Sequence, residues 1–201
     1  MPDENDALGG RLPLADPTAL NPAQREIFDR MATRIVPWAN DAPFQTAAED
    51  GRFIGPLNPA LLNPAIAGPF LDLQFAEQVH TSLSARVQEV VILAVGAVWQ
   101  ADYELYAHLA IARTAGLSDD TARAVATGRL PDGFSDDELI ALRLTQQLST
   151  NHRVDEALYR DAEKSFGAKG LLDIAFLIGI YHSVCATLTM FAIPAPESTA
   201  A

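Results

Sequence analysis

The chain has 201 residues, of which 49% are hydrophobic and 20% are charged, a composition typical of a soluble globular domain. Its net charge of −12, without any basic run, argues against binding to nucleic acid or to anionic membranes. The single cysteine, Cys185, excludes an internal disulfide and a cysteine-rich metal site. The acidic, polar start resembles neither a secretory signal nor a transit peptide, so we expect a cytoplasmic protein.

Polar and proline-rich stretches divide the chain. The helix-start signal Asn21-Pro22 opens a first helix, which is expected to end before Pro37 because proline disfavours a helix interior. Four segments result, namely a flexible N-terminal arm at 1–20, a helix with a proline- and glycine-rich connection at 21–60, the main helical domain at 61–194 and a C-terminal tail at 195–201.

Within the main domain, capping residues and apolar runs predict a series of helices. They are expected at 65–81, 85–99, 100–115, 119–128, 136–150, 155–167 and 169–193. Ser84 is the expected N-cap of the second of these, and Ser135-Asp-Asp-Glu138 is a capping box that opens the fifth. Because no alternating strand pattern exceeds a few residues, the fold is predicted to be all-α.

Two of these helices carry polar groups where only hydrocarbon is expected. The run from Glu89 to Trp99 is apolar on every side and therefore predicts a fully buried helix. The next helix has an apolar stripe on which Glu104 and His108 lie one turn apart. A carboxylate and an imidazole are costly in an interior unless they are paired, and such places hold the shifted pKa values that proton chemistry uses. Glu89, Glu104 and His108 are therefore the strongest candidates for function.

The spacing of these residues resembles a known arrangement. Glu89, Ala101, Glu104 and His108 follow the pattern Glu-x11-Cys-x2-Cys-x3-His of the alkylhydroperoxidase-D-like (AhpD-like) proteins, with both cysteines replaced. The surrounding chain, over roughly residues 50–194, is similar to the carboxymuconolactone decarboxylase family, the cysteine-free branch of that superfamily. The similar segments are Arg86-Val-Gln-Glu89, Tyr103-Glu104 with His108, Ala115-Gly116-Leu117-Ser118, Leu139–Thr150 and Gly179-Ile-Tyr181.

The resemblance implies an AhpD-like helical bundle that is an obligate homo-oligomer, a trimer or a hexamer, with its site near a subunit boundary. It also implies an enzyme without cofactor or metal that decarboxylates a small carboxylated lactone or another enolisable acid, in the degradation of aromatic compounds. Such a reaction needs a dry pocket, a donor for the developing enolate oxygen and an acid that protonates carbon. Thiol peroxidase chemistry is not expected, because Ala101 and Glu104 supply no thiolate.

Within the implied reaction, His108 is the expected proton donor, because the unperturbed pKa of imidazole, about 6.5, lies near working pH. Glu89 or Glu104 would orient and charge the imidazole ring, as a carboxylate does in a catalytic triad. His108 and Glu89 are thus the first choices for the catalytic pair, with Glu104 next.

Three further residues are candidate substrate ligands, namely Arg86, Trp99 and His182. Arg86 lies one turn before Glu89, so it either pairs with that carboxylate, which the spacing favours, or binds a substrate carboxylate. Trp99 either lines a pocket or packs as a large aromatic at a helix end. His182 either reaches the site or packs within the last helix.

Alternatives to decarboxylation stay open at this point. An isomerase or a dehydratase on the same scaffold would use the same polar residues. A non-catalytic oligomeric binding protein would hold them as a satisfied polar core. A di-iron site would need paired Glu-x-x-His motifs, whereas this chain offers one Glu-x3-His, so no metal is expected.

Overall fold

The computed structural model describes residues 7–41 and 44–196, and the chain is helical throughout its core. Within these ranges the helices, labelled in chain order, are α1 Pro22–Asp41, α2 Leu57–Ala60, α3 Pro64–His80, α4 Ala85–Trp99, α5 Asp102–Thr114, α6 Asp119–Ala126, α7 Asp136–Gln146 and α8 Glu156–Met190. A 3-10 turn at Pro17–Ala19 and a π-helical turn at Gln147–Asn151 add to them. The predicted all-α fold is confirmed, since the β pairing in the described ranges is a single bridge.

Most helix boundaries follow the capping residues that the sequence supplies. Ser84 Oγ accepts a hydrogen bond from the backbone N–H of Val87 at 3.3 Å, which starts α4 as predicted. The capping box of Ser135 and Glu138 opens α7. The predicted break between the last two helices is present inside α8, because Gly167 has a φ of 62°, outside the helical region.

The first long helix does not end where the proline signal predicts. Instead of stopping before Pro37, α1 continues to Asp41 with Pro37 in its interior. Proline has no backbone N–H, so the helical hydrogen bond from position 37 to the carbonyl of Thr33 is lost. The other backbone hydrogen bonds of the helix can still form. The buried side chains of Ile27 and Met31 lie in one hydrophobic cluster with α3, and this packing outweighs the missing bond.

Helix α4 forms the centre of the bundle. Its residues from Val87 to Gly96 are buried, except for Gln88, and the helix packs against α5, α6, α7 and α8. By length and composition alone, α8 could cross a membrane, and it is the single helix of that kind among the described residues. Its packing against α4 and α7 is what the core helix of a soluble protein shows.

The segment predicted as an N-terminal arm lies partly against the bundle. The backbone N–H of Arg11 donates to the carbonyl of Phe191 at 2.7 Å, and Leu14 is buried. Asn58 also contacts this segment, since its side chain accepts from the N–H of Ala15 at 3.0 Å. Residues 1–6 of the predicted arm and 197–201 of the predicted tail lie outside the described residues.

The connection between α1 and α2 closes over α5. Tyr103 is buried there, and its hydroxyl donates to the carbonyl of Gln45 at 2.5 Å. Gly55 has a φ of 61°, and a Cβ at this position would lie 2.1 Å from the Tyr103 ring. Glycine is therefore required at position 55 both for the backbone conformation and for the close approach to the ring.

Candidate functional site

A cavity of about 430 Å³ opens between α1, α3, α4, α5 and α8. Aliphatic and aromatic side chains form most of its wall, and a volume of this size suits a small organic ligand. The ionisable side chains in the wall are Arg34, Glu77, Glu89, Tyr103, Glu104, His108 and Tyr181. The cavity is therefore an apolar chamber with a few polar groups placed at defined points.

Three of the predicted residues meet in this wall. Nδ1 of His108 donates to Oε2 of Glu89 at 2.9 Å, a hydrogen bond that joins α5 to α4. Nε2 of His108 lies 3.2 Å from Oε1 of Glu104, one turn earlier in α5. No more than 8% of any of these three side chains is exposed. One imidazole is thus held between two buried carboxyl groups, as the spacing in the sequence predicts.

The electrostatics of this cluster favour its protonated forms. Burial opposes the charged form of His108, but the charges of Glu89 and Glu104 and the hydrogen bond that His108 donates to Glu89 together raise the pKa of His108. Burial raises the pKa of Glu104, and the charge of Glu89 adds to that effect against the opposing charge of His108. Oε1 of Glu104 has no hydrogen-bond partner, because its contact with Nε2 lacks hydrogen-bond geometry. The cluster can therefore store a proton beside the cavity.

Three other cavity residues were not predicted as site residues. Arg34 of α1 places its guanidinium carbon 3.5 Å from the ring centroid of Phe75 and forms no ion pair with a described carboxylate. Glu77 of α3 has a buried Oε1 without a hydrogen-bond partner. Tyr181 of α8 meets the ring of His108 edge-on, with centroids 5.1 Å apart. A glutamate within a largely apolar helix was the available signal for Glu77, whereas nothing in the sequence connects α1 to this wall.

Arg86 lies outside the cavity wall. Its Nε donates to Oε1 of Glu138 at 2.5 Å, and its Nη1 donates to the carbonyl of Gly116. The carboxylate that pairs with Arg86 is therefore Glu138 of α7, not Glu89 as helical spacing favours. Since its donors are used between helices, Arg86 is a structural link and not a free cation facing the cavity.

Trp99 and His182 also lie away from the cavity, where they contact each other. Nε1 of Trp99 donates to Nδ1 of His182 at 2.6 Å, so Nε2 of the neutral ring carries the proton and donates to Oγ of Ser149 at 2.9 Å. Burial lowers the pKa of His182, which favours this neutral form. Because the ring donates to Ser149, it cannot act as a base towards that hydroxyl.

Thiol and metal chemistry find little support in these residues. Cys185 is buried, burial raises the pKa of its thiol well above the usual range, and no second cysteine exists in the sequence. Across residues 7–41 and 44–196, no group of three or more His, Cys, Asp or Glu side chains is arranged to hold a metal ion. The groups in the cavity wall that can transfer protons are carboxyl, imidazole and phenol groups.

Comparison with known proteins finds a similarity to one family over part of the chain. The sequence profile of the carboxymuconolactone decarboxylase family matches residues 64–147, a stretch that contains Glu77, Glu89, Glu104 and His108. This segment, less than half of the chain, is similar to that family. The similarity supports a decarboxylase-like function at the level of the family. No curated protein matches the chain.

Solved structures share the fold of this chain over nearly its whole length. A peroxidase-related protein from Ralstonia eutropha JMP134, described as an alkylhydroperoxidase AhpD core, has a TM-score of 0.72 at 19% identity, over 93% of this chain and 92% of its own. Another from Silicibacter sp. TM1040 has a TM-score of 0.69 at 15% identity, over 98% and 94%. The debrominase Bmp8, solved with 2,3,4-tribromopyrrole, has a TM-score of 0.64 at 15% identity, over 94% and 92%. These likenesses confirm the predicted AhpD-like fold.

Proposed function

We propose that this protein is a cofactor-free decarboxylase that acts on a small carboxylated lactone or a related enolisable acid. The observation that carries the proposal is the buried cluster of Glu89, His108 and Glu104 in the wall of an apolar cavity. The match of residues 64–147 to the carboxymuconolactone decarboxylase family supports decarboxylase-like chemistry. The missing thiol pair counts against the peroxidase-related alternative.

Arg34 supports a substrate that keeps one carboxylate through the reaction. Its guanidinium reaches the cavity and has no carboxylate partner among the described residues. Guanidinium binds carboxylate through two parallel hydrogen bonds, which fixes both position and orientation. We therefore assign Arg34 to the retained carboxylate, while the departing carboxylate lies against the apolar wall, where weak solvation favours its loss.

The chemical step needs only the substrate and one proton. The bond between the ring carbon and the departing carboxylate breaks, CO2 leaves, and the electron pair moves into the unsaturated lactone to give a dienolate. A proton then forms a new C–H bond at the carbon next to the lactone carbonyl. The overall change replaces one carboxylate by one hydrogen, so neither an oxidant nor a reductant is consumed.

We assign the delivery of this proton to Glu104, with His108 as its relay. Both ring nitrogens of His108 face carboxyl groups, whereas Glu104 lines the cavity and has an oxygen without a hydrogen-bond partner. After turnover, His108 would return a proton to Glu104 across the 3.2 Å contact between Nε2 and Oε1, while Glu89 holds the ring. This order differs from the sequence-based expectation, in which His108 itself protonates carbon.

The proposal is tested by incubating the protein with 4-carboxymuconolactone and measuring CO2 release together with the NMR spectrum of the product. We expect release by the native protein, and a loss of about 10²–10⁴-fold in kcat for Glu104→Gln and His108→Gln. The exposed carboxylate Glu49 provides a control, since Glu49→Gln changes the charge equally and should leave kcat unchanged. No release by the folded native protein would contradict decarboxylation, and a product that keeps its carboxylate would identify an isomerase or a dehydratase.

We also propose that the protein is a cytoplasmic homo-oligomer. Leu172 and Phe176 lie on the outer face of α8 with 56% and 49% of their surface exposed, which is more apolar surface than a helix facing water needs. Sedimentation equilibrium should give a mass of three or six times the 21.6 kDa of one chain. A mass of one chain would contradict this part of the proposal.

A further inference from the structure

Glu77 is a carboxyl group in the cavity wall that the proposed proton delivery does not use. Its Oε1 is one of two buried side-chain atoms in the described part of the chain that have no hydrogen-bond partner, the other being Oε1 of Glu104. Burial and the charge of Asp173 raise the pKa of Glu77 more than the Thr81 side chain and Lys169 lower it. A buried oxygen without a partner is costly unless a ligand completes its hydrogen bonding.

Tyr181 is a second cavity group without a role so far. Its ring stands at 90° to the ring of His108, with centroids 5.1 Å apart, so α8 holds it beside the acidic cluster. Burial, followed by the charges of Glu104, Glu89 and Glu77, raises the pKa of Tyr181 well above its usual value. The phenol therefore keeps its proton at neutral pH and is available as a hydrogen-bond donor.

The proposed reaction places negative charge on the lactone carbonyl oxygen, and none of the residues assigned above binds that oxygen. When CO2 leaves, the electron pair is delocalised onto the lactone carbonyl oxygen, and donors fixed near that oxygen lower the barrier. A tyrosine and a neutral carboxylic acid form such a pair of donors in an enzyme that moves protons next to a carbonyl group. Both types of group line this cavity.

We propose, resting on the decarboxylase function proposed above, that Tyr181 and the protonated carboxyl of Glu77 together bind the enolate oxygen of the intermediate. Both groups donate hydrogen bonds and keep their protons, so they stabilise charge while Glu104 protonates carbon. Arg34 holds the retained carboxylate. Glu77 and Glu104, both of which line the cavity, thus act on different atoms of one substrate.

A phenolate tests the donor pair without any reaction. 4-Nitrophenol carries one oxygen on a flat ring, and its ionised form absorbs visible light, so a spectrum taken during titration reports both binding and ionisation. We expect the native protein to bind the phenolate and to lower the pKa of the bound phenol. Loss of one hydrogen bond to a charged oxygen should weaken binding about tenfold or more in Tyr181→Phe and in Glu77→Leu.

Matched controls separate this effect from a general change in charge or packing. Tyr159→Phe and Glu49→Gln alter the same groups at exposed positions and should bind the probe like the native protein. In the native protein, affinity for phenolate should fall as pH rises through the raised pKa of Glu77, because the ionised carboxylate repels the probe. Glu77→Gln keeps an N–H donor and cannot ionise, so its affinity should not show that fall.

Two results would overturn the proposal. The first is absence of phenolate binding by the folded native protein, and the second is unchanged binding in both Tyr181→Phe and Glu77→Leu. If the leucine variant fails to fold, the pH profile of Glu77→Gln decides, since a profile like the native one would also overturn the proposal. Because the probe does not react, these outcomes are independent of CO2 release, whose absence would reject the decarboxylase function instead.

Discussion

Replacing His108 by leucine should destabilise the protein far more than removing a surface charge. His108 lies 2.9 Å from Glu89 and 3.2 Å from Glu104, and 7% of its side chain is exposed. Leucine has a similar volume, but it leaves two buried carboxyl groups facing each other without a cation. Removing one partner of a buried ionic group costs about 3–5 kcal/mol, which is a large part of the total stability of a domain.

The loss should vary with pH. The pKa of His108 is raised on folding, so its stabilising contribution is complete below the unfolded value of about 6.5 and disappears as pH rises through the folded value. The pKa of Glu104 is also raised, so the folded state holds a proton that the unfolded chain releases above about pH 4.5. The leucine variant lacks the imidazolium charge at every pH. The part of the cost that comes from this lost charge should therefore be complete near pH 5 and should decline as pH rises through the folded pKa of His108.

Urea unfolding followed by circular dichroism, at one protein concentration, measures this loss. The control is Arg113→Met, which removes a cation from an exposed ion pair with Asp119 and should change the unfolding free energy little. Combining Glu89→Gln with His108→Leu should recover part of the loss, because fewer buried carboxylates then lack a partner. A loss below about 1 kcal/mol that does not vary with pH would refute the charged cluster.

Two other features of the structure, Arg34 and Gly55, give separate predictions. Arg34→Met should raise KM for a carboxylated substrate about tenfold or more, with little change in kcat. The control Arg25→Met, on the same helix, should leave KM unchanged. Equal effects of the two substitutions on KM would contradict the assignment of Arg34 to the substrate carboxylate. Gly55→Ala should lower the unfolding free energy by about 2–4 kcal/mol, because its φ is 61° and its Cβ would lie 2.1 Å from the Tyr103 ring. The control is Gly51→Ala, which has a φ of 83° but no atom near its Cβ, and it should lower the unfolding free energy by only about 1–2 kcal/mol. Equal losses for the two variants in urea unfolding would contradict a steric clash at position 55.

The buried cluster of Glu89, Glu104 and His108 could be predicted because its members lie close together in the sequence. Glu104 and His108 share one helix, so the helical period alone places them one turn apart. Glu89 lies in the preceding helix, and its polar side chain stands out from an apolar run. Helix starts were predictable for a similar reason, since Ser84 and Ser135 act on backbone groups only a few residues away.

The rest of the cavity depends on contacts that local patterns do not contain. Arg34 and Tyr181 come from helices far apart in the chain, and only the packed bundle brings them to one wall. The partner of Arg86 shows the same limit, because the local spacing favours Glu89 whereas the bundle brings Glu138 of α7 within 2.5 Å. The passage of α1 through Pro37 likewise follows from packing against α3, which outweighs a local preference.

The most direct test of proton delivery by the buried cluster is the rate of CO2 release from 4-carboxymuconolactone as a function of pH, for the native protein and for Glu104→Gln. A donor must be protonated to act, so the native rate should fall as pH rises through the raised pKa of Glu104. The glutamine variant should be slower by about 10²–10⁴-fold and should lack that fall. Native-like rates in Glu104→Gln, with the same pH profile, would contradict the assignment.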